Sequence, residues 1–290
     1  VKQLLNGIFV NSSPVTDWSD VLVCPVCASE LVLSQSEMPH PSKLACENGH
    51  QYDAARQGYF NLLTGKGTKF REDTQDMVAA RLRFLEAGHY APIAEAVASA
   101  VPADASLIYD AGSGPGYYLE RVMNDLSSSD GTRAIAMDIS RAAAKFAAKV
   151  PKTLALVSDV WSVLPVAAGS VDVVLNIFSP HNAEEFRRIL RRGGRAIVVT
   201  PLPHHLQELR DAQLGLLTIQ PEKQAKIHET FSEGYALIQE ESLEFSLNLS
   251  PNEIADLVAM GPAGHHDPTS TETEQRTVSC GVVITVFEKK

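Results

Sequence analysis

LIYDAGSGPGYYLE, residues 107–120, opens as a short apolar run, closes on an acid at Asp110 and then places glycines at 112, 114 and 116 ahead of a segment of helical character. A strand that turns sharply into a helix has this form. Glycine takes positive φ freely and lets a ligand approach the backbone, while the helix start offers unpaired N–H groups. The spacing, Gly-x-Gly-x-Gly after an acid, departs from the dinucleotide fingerprint Gly-x-Gly-x-x-Gly and from the phosphate loop ending in Gly-Lys-Ser/Thr. S-adenosylmethionine, which has no phosphate, fits better, with Gly112 and Gly114 packing on the adenosyl and methionyl parts. Asp110 then orients the loop or holds the methionyl ammonium through water.

Working outward, RAIAMD (133–138), LALVSD (154–159), VDVVLNIF (171–178) and RAIVVT (195–200) read as further strands, with helix-length segments between most of them. Residues 77–101 are helical in period, interrupted near Gly88 and Pro92. The alternation predicts an α/β chain with a doubly wound, Rossmann-like sheet. Acids close the second and third strands. Asp138 sits where a ribose-binding acid belongs and Asp159 where a side chain reaches the adenine amine. After the fourth strand, Asn176, Phe178 and Pro180 stand where such folds face the substrate. Arg187, Arg188, Arg191, Arg192 and Arg195 read as a solvated helix face that complements a C-terminal dipole before Gly193 and Gly194. Near the end, 235–250 and 278–290 read as two extended strands flanking helical 251–260.

Cys24, Cys27, Cys46 and His50 form a C-x2-C-x18-C-x3-H pattern. Thiolates plus one imidazole in two short-spaced pairs suit tetrahedral zinc, and a closed four-ligand site makes the ion structural. Cys280, in a terminal strand pattern, reads as a core thiol. The expected organisation is a zinc-binding module over 1–63, a Gly/Lys/Thr-rich linker over 64–76, and the S-adenosylmethionine-dependent domain over 77–290. A separate reading head argues for a macromolecular substrate. The formal net charge of −10 excludes nucleic-acid binding through bulk electrostatics but leaves room for a local patch. No apolar run is long enough to span a bilayer, and Leu4–Val10 is too short and too weakly basic for a signal peptide. A cytoplasmic protein with no membrane partner is expected.

The cysteine cluster followed by HQYDAARQGYFNLL (50–63), RLRFLEAGHY (81–90), the glycine loop and TPLPHHLQEL (200–209) resembles the bacterial 23S ribosomal RNA guanine-N1 methyltransferases, the family that includes the tylosin-resistance methyltransferase. The resemblance runs from Cys24 to about Arg210. It implies the class I methyltransferase fold, and methyl transfer from S-adenosylmethionine to N1 of a guanine in a 23S rRNA hairpin near the macrolide-binding exit tunnel. The naked RNA or the large ribosomal subunit is the implied partner, with the 1–63 module as its RNA-recognition part, a homodimer the assembly, and antibiotic resistance an implied output. Tyr90, Pro115, Gly116 and His205 are implied to touch the cofactor. Where the family has Met-Thr-Pro-x-x-Trp-Arg, this chain reads MGPAGHH (260–266), losing an aromatic and an arginine, and His265 and His266 read as a solvated loop pair. A small-molecule or protein methyltransferase, or a catalytically silent RNA-binding relative, are the alternatives. Guanine N1 is protonated at neutral pH and lies on the pairing edge, so the base must be unpaired or extruded to react.

Overall fold

The structure is a computed structural model that describes residues 18–34, 42–65, 67–126, 131–212, 214, 216, 219–220, 222–261, 264–265 and 273–290. Leu4–Val10 and His266 lie outside the described residues.

The apolar runs become strands of one mixed sheet. In chain order the first elements are β1 (Val32–Ser34), β2 (Lys43–Ala45), β3 (Gln51–Asp53), β4 (Phe60–Asn61), α1 (Gln75–Glu86), α2 (Ala91–Ala100), β5 (Leu107–Ala111), α3 (Tyr117–Asp125), β6 (Arg133–Asp138), α4 (Arg141–Ala147) and β7 (Thr153–Val157). They are followed by β8 (Val171–Ile177), α5 (Ala183–Ile189), β9 (Leu190–Pro201), α6 (Gln207–Asp211), α7 (Lys223–Thr230), β10 (Tyr235–Leu249), α8 (Pro251–Ala259) and β11 (Arg276–Lys289). The large sheet has the order β10-β11-β9-β8-β5-β6-β7-β4. Its central strands are parallel, whereas β11 runs antiparallel to both β9 and β10. All five β5 residues are buried, as expected for a parallel strand covered on both faces. Strand order reverses between β5 and β8, and the carboxyl ends of those strands open the crevice in which such sheets bind ligands.

Local chemistry sets the helix starts. Thr74 caps α1 by accepting from the Met77 N–H, Ser140 caps α4 by accepting from Ala143, and Ser250 with Glu253 forms a reciprocal capping box on α8. The arginine run divides where Leu190 leaves the helix. Arg187 and Arg188 end α5, but Arg191, Arg192 and Arg195 lie on β9, because β9 begins earlier than the apolar pattern alone suggests. Arg188 is tied to Glu185 and to the Leu164 and Val166 carbonyls, Arg191 to Asp172 and Arg187 to Glu233, so most of the run is structural.

The cysteine-bearing segment packs on the sheet as an additional layer. Trp18, Leu22, Leu31 and Leu44 belong to the same buried cluster as Tyr109, Ile135, Leu156 and Val174. Leu22 bridges to Val166, Arg133 pairs with Asp20 beneath the Trp18 ring, and β4 adds a parallel strand beside β7. Residues 67–74, read from composition as linker, run across the sheet's carboxyl end. Thr68 donates to Asp159, Glu72 pairs with Arg141, and the Asp73 carbonyl accepts from Ser140. No helix among the described residues is long and apolar enough to cross a membrane.

Candidate active site and metal centre

Gly112, Gly114 and Gly116 adopt φ of 82°, 54° and 90°, a region that ordinary side chains avoid. The turn is pinned from below by the Gly112 and Ser113 N–H groups donating to the Met137 carbonyl, and from the side by Gly114 N–H donating to Asp138 Oδ2 at 2.8 Å. The other Asp138 oxygen accepts from Ser140 N–H at 2.7 Å, so the acid ending β6 holds both the glycine loop and the start of α4. A Cβ on Gly112 would lie 2.0 Å from Ser179 Oγ. The loop and the turn after β8 therefore approach as closely as their backbones allow.

Between them lies a cavity of about 700 Å³. Tyr90, Asp110, Gly112, Gly114, Pro115, Asp138, Asp159 and His205, all expected at a cofactor site, lie in its wall, together with Phe178 and Pro180. Two expected residues do not. Gly116 begins α3 behind the loop, where a Cβ would meet Val150 and Ala147. Asn176 is fully buried, its amide donating to the Ala111 carbonyl at 3.2 Å and the Pro180 carbonyl at 2.9 Å and its oxygen paired with His181 Nδ1 at 2.9 Å. It ties the end of β5 to the turn after β8 and does not line this cavity.

Charge in the cavity is uneven. Asp110 is 2% exposed and makes no hydrogen bond through its carboxyl group among the described residues. Burial, reinforced by nearby Asp138, pushes its pKa up to about 8. Burial also raises Asp138, against the opposing pull of the Ser140 and Gly114 N–H groups. Asp159 accepts from Thr68 and from the Trp161 N–H. Facing these acids is Arg81 from α1, its guanidinium beside Gly114, 2.6 Å from Asp73 and donating to the Met260 carbonyl at 2.7 Å. Carboxyl groups and a guanidinium within the same cleft suit a zwitterionic ligand.

The far wall is aromatic. Phe178 adopts φ of 52°, and its ring centroid stands 6.0–6.5 Å from those of His205, Tyr90 and Tyr118. Holding a phenylalanine in the left-handed region costs of order 1–3 kcal/mol, sustained here by the surrounding packing. His205 is held neutral, its pKa lowered to about 4 by burial and by Arg210. The Gly281 N–H donates to its Nδ1 at 3.3 Å, which places the ring proton on Nε2, 3.4 Å from the Tyr90 hydroxyl.

Sequence reasoning left Phe70, Arg71, Asp73, Arg81 and Trp161 without a role, and all line the cavity. Of these, Arg81 alone carried a signal, as the first residue of the 81–90 stretch in the resemblance. His265 corrects an expectation. Rather than solvated, its side chain is 15% exposed and lines the cavity, with Nε2 4.0 Å from Asp73 and its carbonyl accepting from Arg71. Met260, Gly261 and His265 thus close one side of the cavity without the family's tryptophan and arginine.

The ligand atoms of Cys24, Cys27, Cys46 and His50 all lie within 4.8 Å of one another, and all four cysteines are free thiols. The Cys27 and Cys46 sulfurs are 3.7 Å apart. That matches the ~3.8 Å edge of a tetrahedron with ~2.3 Å metal–sulfur bonds. The Cys24 amide donates to the Ser29 carbonyl and Ala28, at φ of 59°, reverses the chain, which turns both sulfurs of the first knuckle inward. Cys280, by contrast, is a buried thiol of β11 beside His205, raised to about 12 by burial.

Asn176→Ala should lower unfolding stability by about 1–3 kcal/mol, because the buried Ala111 carbonyl and the Pro180 carbonyl lose their donor and His181 loses its partner. Chemical denaturation checks this; a variant of unchanged stability would contradict the structural role.

Residues 22–66 match the family model described as RlmA, N-terminal, a zinc ribbon, and residues 109–198 match the methyltransferase domain. The 23S rRNA (guanine(748)-N(1))-methyltransferase of Streptomyces fradiae is 41% identical over 254 residues, covering 85% of this chain and 87% of that protein. A Micromonospora griseorubida protein named for 23S rRNA guanine-N1 methylation is 38% identical over 283 residues, covering 91% and 94%. Among solved structures, the complex between the Haloferax volcanii Trm112 methyltransferase activator and a methyltransferase matches with a TM-score of 0.50 at 19% identity, over 76% of this chain and 99% of that one, which speaks to fold alone. With its ribbon, its glycine-turn cavity and this level of identity over most of its length, the chain belongs to the 23S rRNA (guanine-N1)-methyltransferase family.

Proposed function

We propose that the protein methylates N1 of a guanine in 23S rRNA, using S-adenosylmethionine and a structural zinc ion. The observation that carries this reading is the convergence of the strand-end acids and the aromatic wall on one cavity, in a chain 41% identical to a guanine-N1 methyltransferase. The cavity's donors and acceptors fit the cofactor: Asp138 for the ribose hydroxyls, Asp159 for the adenine amine, Asp110 for the ammonium and Arg81 for the carboxylate. The bound cofactor supplies an activated methyl on a sulfonium.

The protein's own work is positioning. Phe178, Tyr90 and Tyr118 form a surface on which an extruded base stacks, the turn held by Asn176 fixes its height, and Phe70 and Trp161, 42% and 52% exposed, flank the opening. His205, with its only free-standing proton directed at Tyr90 and its Nδ1 already taken, orients the Tyr90 hydroxyl rather than receiving the N1 proton. Cys24, Cys27, Cys46 and His50 hold the zinc, which fixes the ribbon against the sheet. A homodimer, a target hairpin by the macrolide-binding tunnel and a role in antibiotic resistance belong to the same reading, supported by the resemblance.

Incubating the protein with S-adenosylmethionine and unmodified 23S rRNA or large subunits should create a cofactor-dependent reverse-transcriptase stop at one guanine, since an N1 methyl blocks pairing. No stop on either substrate, with the cofactor bound, would overturn the reading. A second outcome follows from Asp110. Its carboxyl is protonated below about pH 8 in the free protein, and a bound cation favours ionisation, so binding releases a proton. Affinity for S-adenosylmethionine, measured by calorimetry, should rise roughly tenfold from about pH 6 to 7.5, and Asp110→Asn should flatten the profile.

A further inference from the structure

An rRNA enzyme of formal net charge −10 must concentrate positive potential somewhere, because phosphate contacts supply most of the affinity for RNA. The arginine run of 187–195 is a poor source, since Arg187, Arg188 and Arg191 are each committed to a carboxylate. A different stretch stands out. Residues 139–158 contain Arg141, Lys145, Lys149 and Lys152 and no acid.

The fold gives this stretch a direction. Arg141 and Lys145 are one turn apart on α4, about 5–6 Å between Cβ atoms, and exposed Lys149 follows in the turn that ends the helix. At its start, α4 is fastened to residues 67–74, a strap over the sheet's carboxyl end, through Ser140 to the Asp73 carbonyl and Arg141 to Glu72. At its end it meets the zinc ribbon. A Cβ on Gly58 would stand 3.9 Å from the Ala148 methyl, in a tight turn closed by Gly58 N–H donating to the Ala55 carbonyl. That turn exposes Arg56. Arg56, Lys145 and Lys149 form no ion pair among the described residues; the nearest partner of Lys149 is the Phe146 ring, 4.8 Å from its Nζ. Glu72 is the carboxylate on this path, and Arg141 neutralises it.

We propose that Arg56, Lys145 and Lys149 form a phosphate-binding track that runs from the zinc ribbon along α4 to the mouth of the cavity and seats the backbone of the substrate RNA. This rests on the rRNA reading above and names the surface that serves it. The track links the two parts of the chain. It explains why the ribbon is fixed to the sheet edge through β4 rather than tethered loosely: a phosphate track spanning both is useful only if their spacing is constant. The contacts are to backbone, so they hold the RNA in register and leave choice of the guanine to the cavity.

The test replaces Arg56, Lys145 and Lys149 together by Gln in the full-length, zinc-loaded protein, with Arg192→Gln/Lys226→Gln as a control for lost charge elsewhere. RNA binding is measured by filter retention of a 23S rRNA fragment from about 50 to 200 mM salt. Melting temperature and S-adenosylmethionine affinity are measured in parallel. The triple variant should keep both of the latter and lose at least tenfold in RNA affinity at the low-salt end. Its log–log salt slope should be shallower by about two, given ~0.7 per phosphate contact on a single strand. In methylation assays kcat/KM for RNA should fall through KM. An unchanged slope in the triple variant, or an equal loss in the control, would overturn the track while leaving the methyltransferase reading intact. Failure of the parent protein to bind or methylate RNA would overturn the reading on which the track rests.

Discussion

The approach of β5 to β8 at the switch point allows no side chain at position 112, where Ser179 Oγ occupies the space a Cβ needs. Everything functional is referred to that contact. Because residue 112 is glycine, the loop after β5 can fold back under the Met137 carbonyl and present Gly114 N–H to Asp138. Asp138 in turn orders the start of α4, and Asn176, from beneath, locks the turn that carries Phe178. The acids at the ends of β5, β6 and β7 thereby face one cleft at fixed height. A larger residue at 112 would part the two strands and disperse the acids.

Electrostatics in the cleft follow from the same compactness. Asp110 is shut away from water and close to a second acid, which raises it, and Arg81 is the cation set beside the loop. In the free protein Arg81 is held by Asp73 and the Met260 carbonyl, joining the strap to the segment after α8. A ligand carboxylate would compete with Asp73 for the guanidinium. Cofactor binding would thus act on the contact that joins residues 67–74 to the segment after α8.

The parallel strands, the glycine turn and the acids at strand ends were legible because each is a local pattern: an apolar run, then a special residue where the chain must turn. The cysteine cluster was legible for the same reason. What the residues alone did not reveal is assembled from distant parts of the chain. Arg81 reads as one of many helical arginines until α1 is placed against the loop, and residues 67–74 are polar enough to pass for a linker although Thr68, Arg71, Glu72 and Asp73 are each spent on a contact. Asn176 reads as a substrate ligand, yet its amide is saturated by backbone carbonyls that sequence cannot place. The docking of the ribbon as a sheet-covering layer was equally invisible, since Trp18, Leu22, Leu31 and Leu44 match no motif and find their partners in residues far along the chain, among them Tyr109, Ile135, Leu156, Val166 and Val174.

A crystal structure with S-adenosylhomocysteine tests the central claim most directly, that the strand-end acids and Arg81 form a single zwitterion-binding cleft. The nucleoside should place its ribose on Asp138 and its adenine amine at Asp159, with the amino group at Asp110 and the carboxylate on Arg81, drawn away from Asp73. A nucleoside bound with its ribose away from Asp138, or an Arg81–Asp73 pair that persists while the carboxylate is held elsewhere, would contradict it.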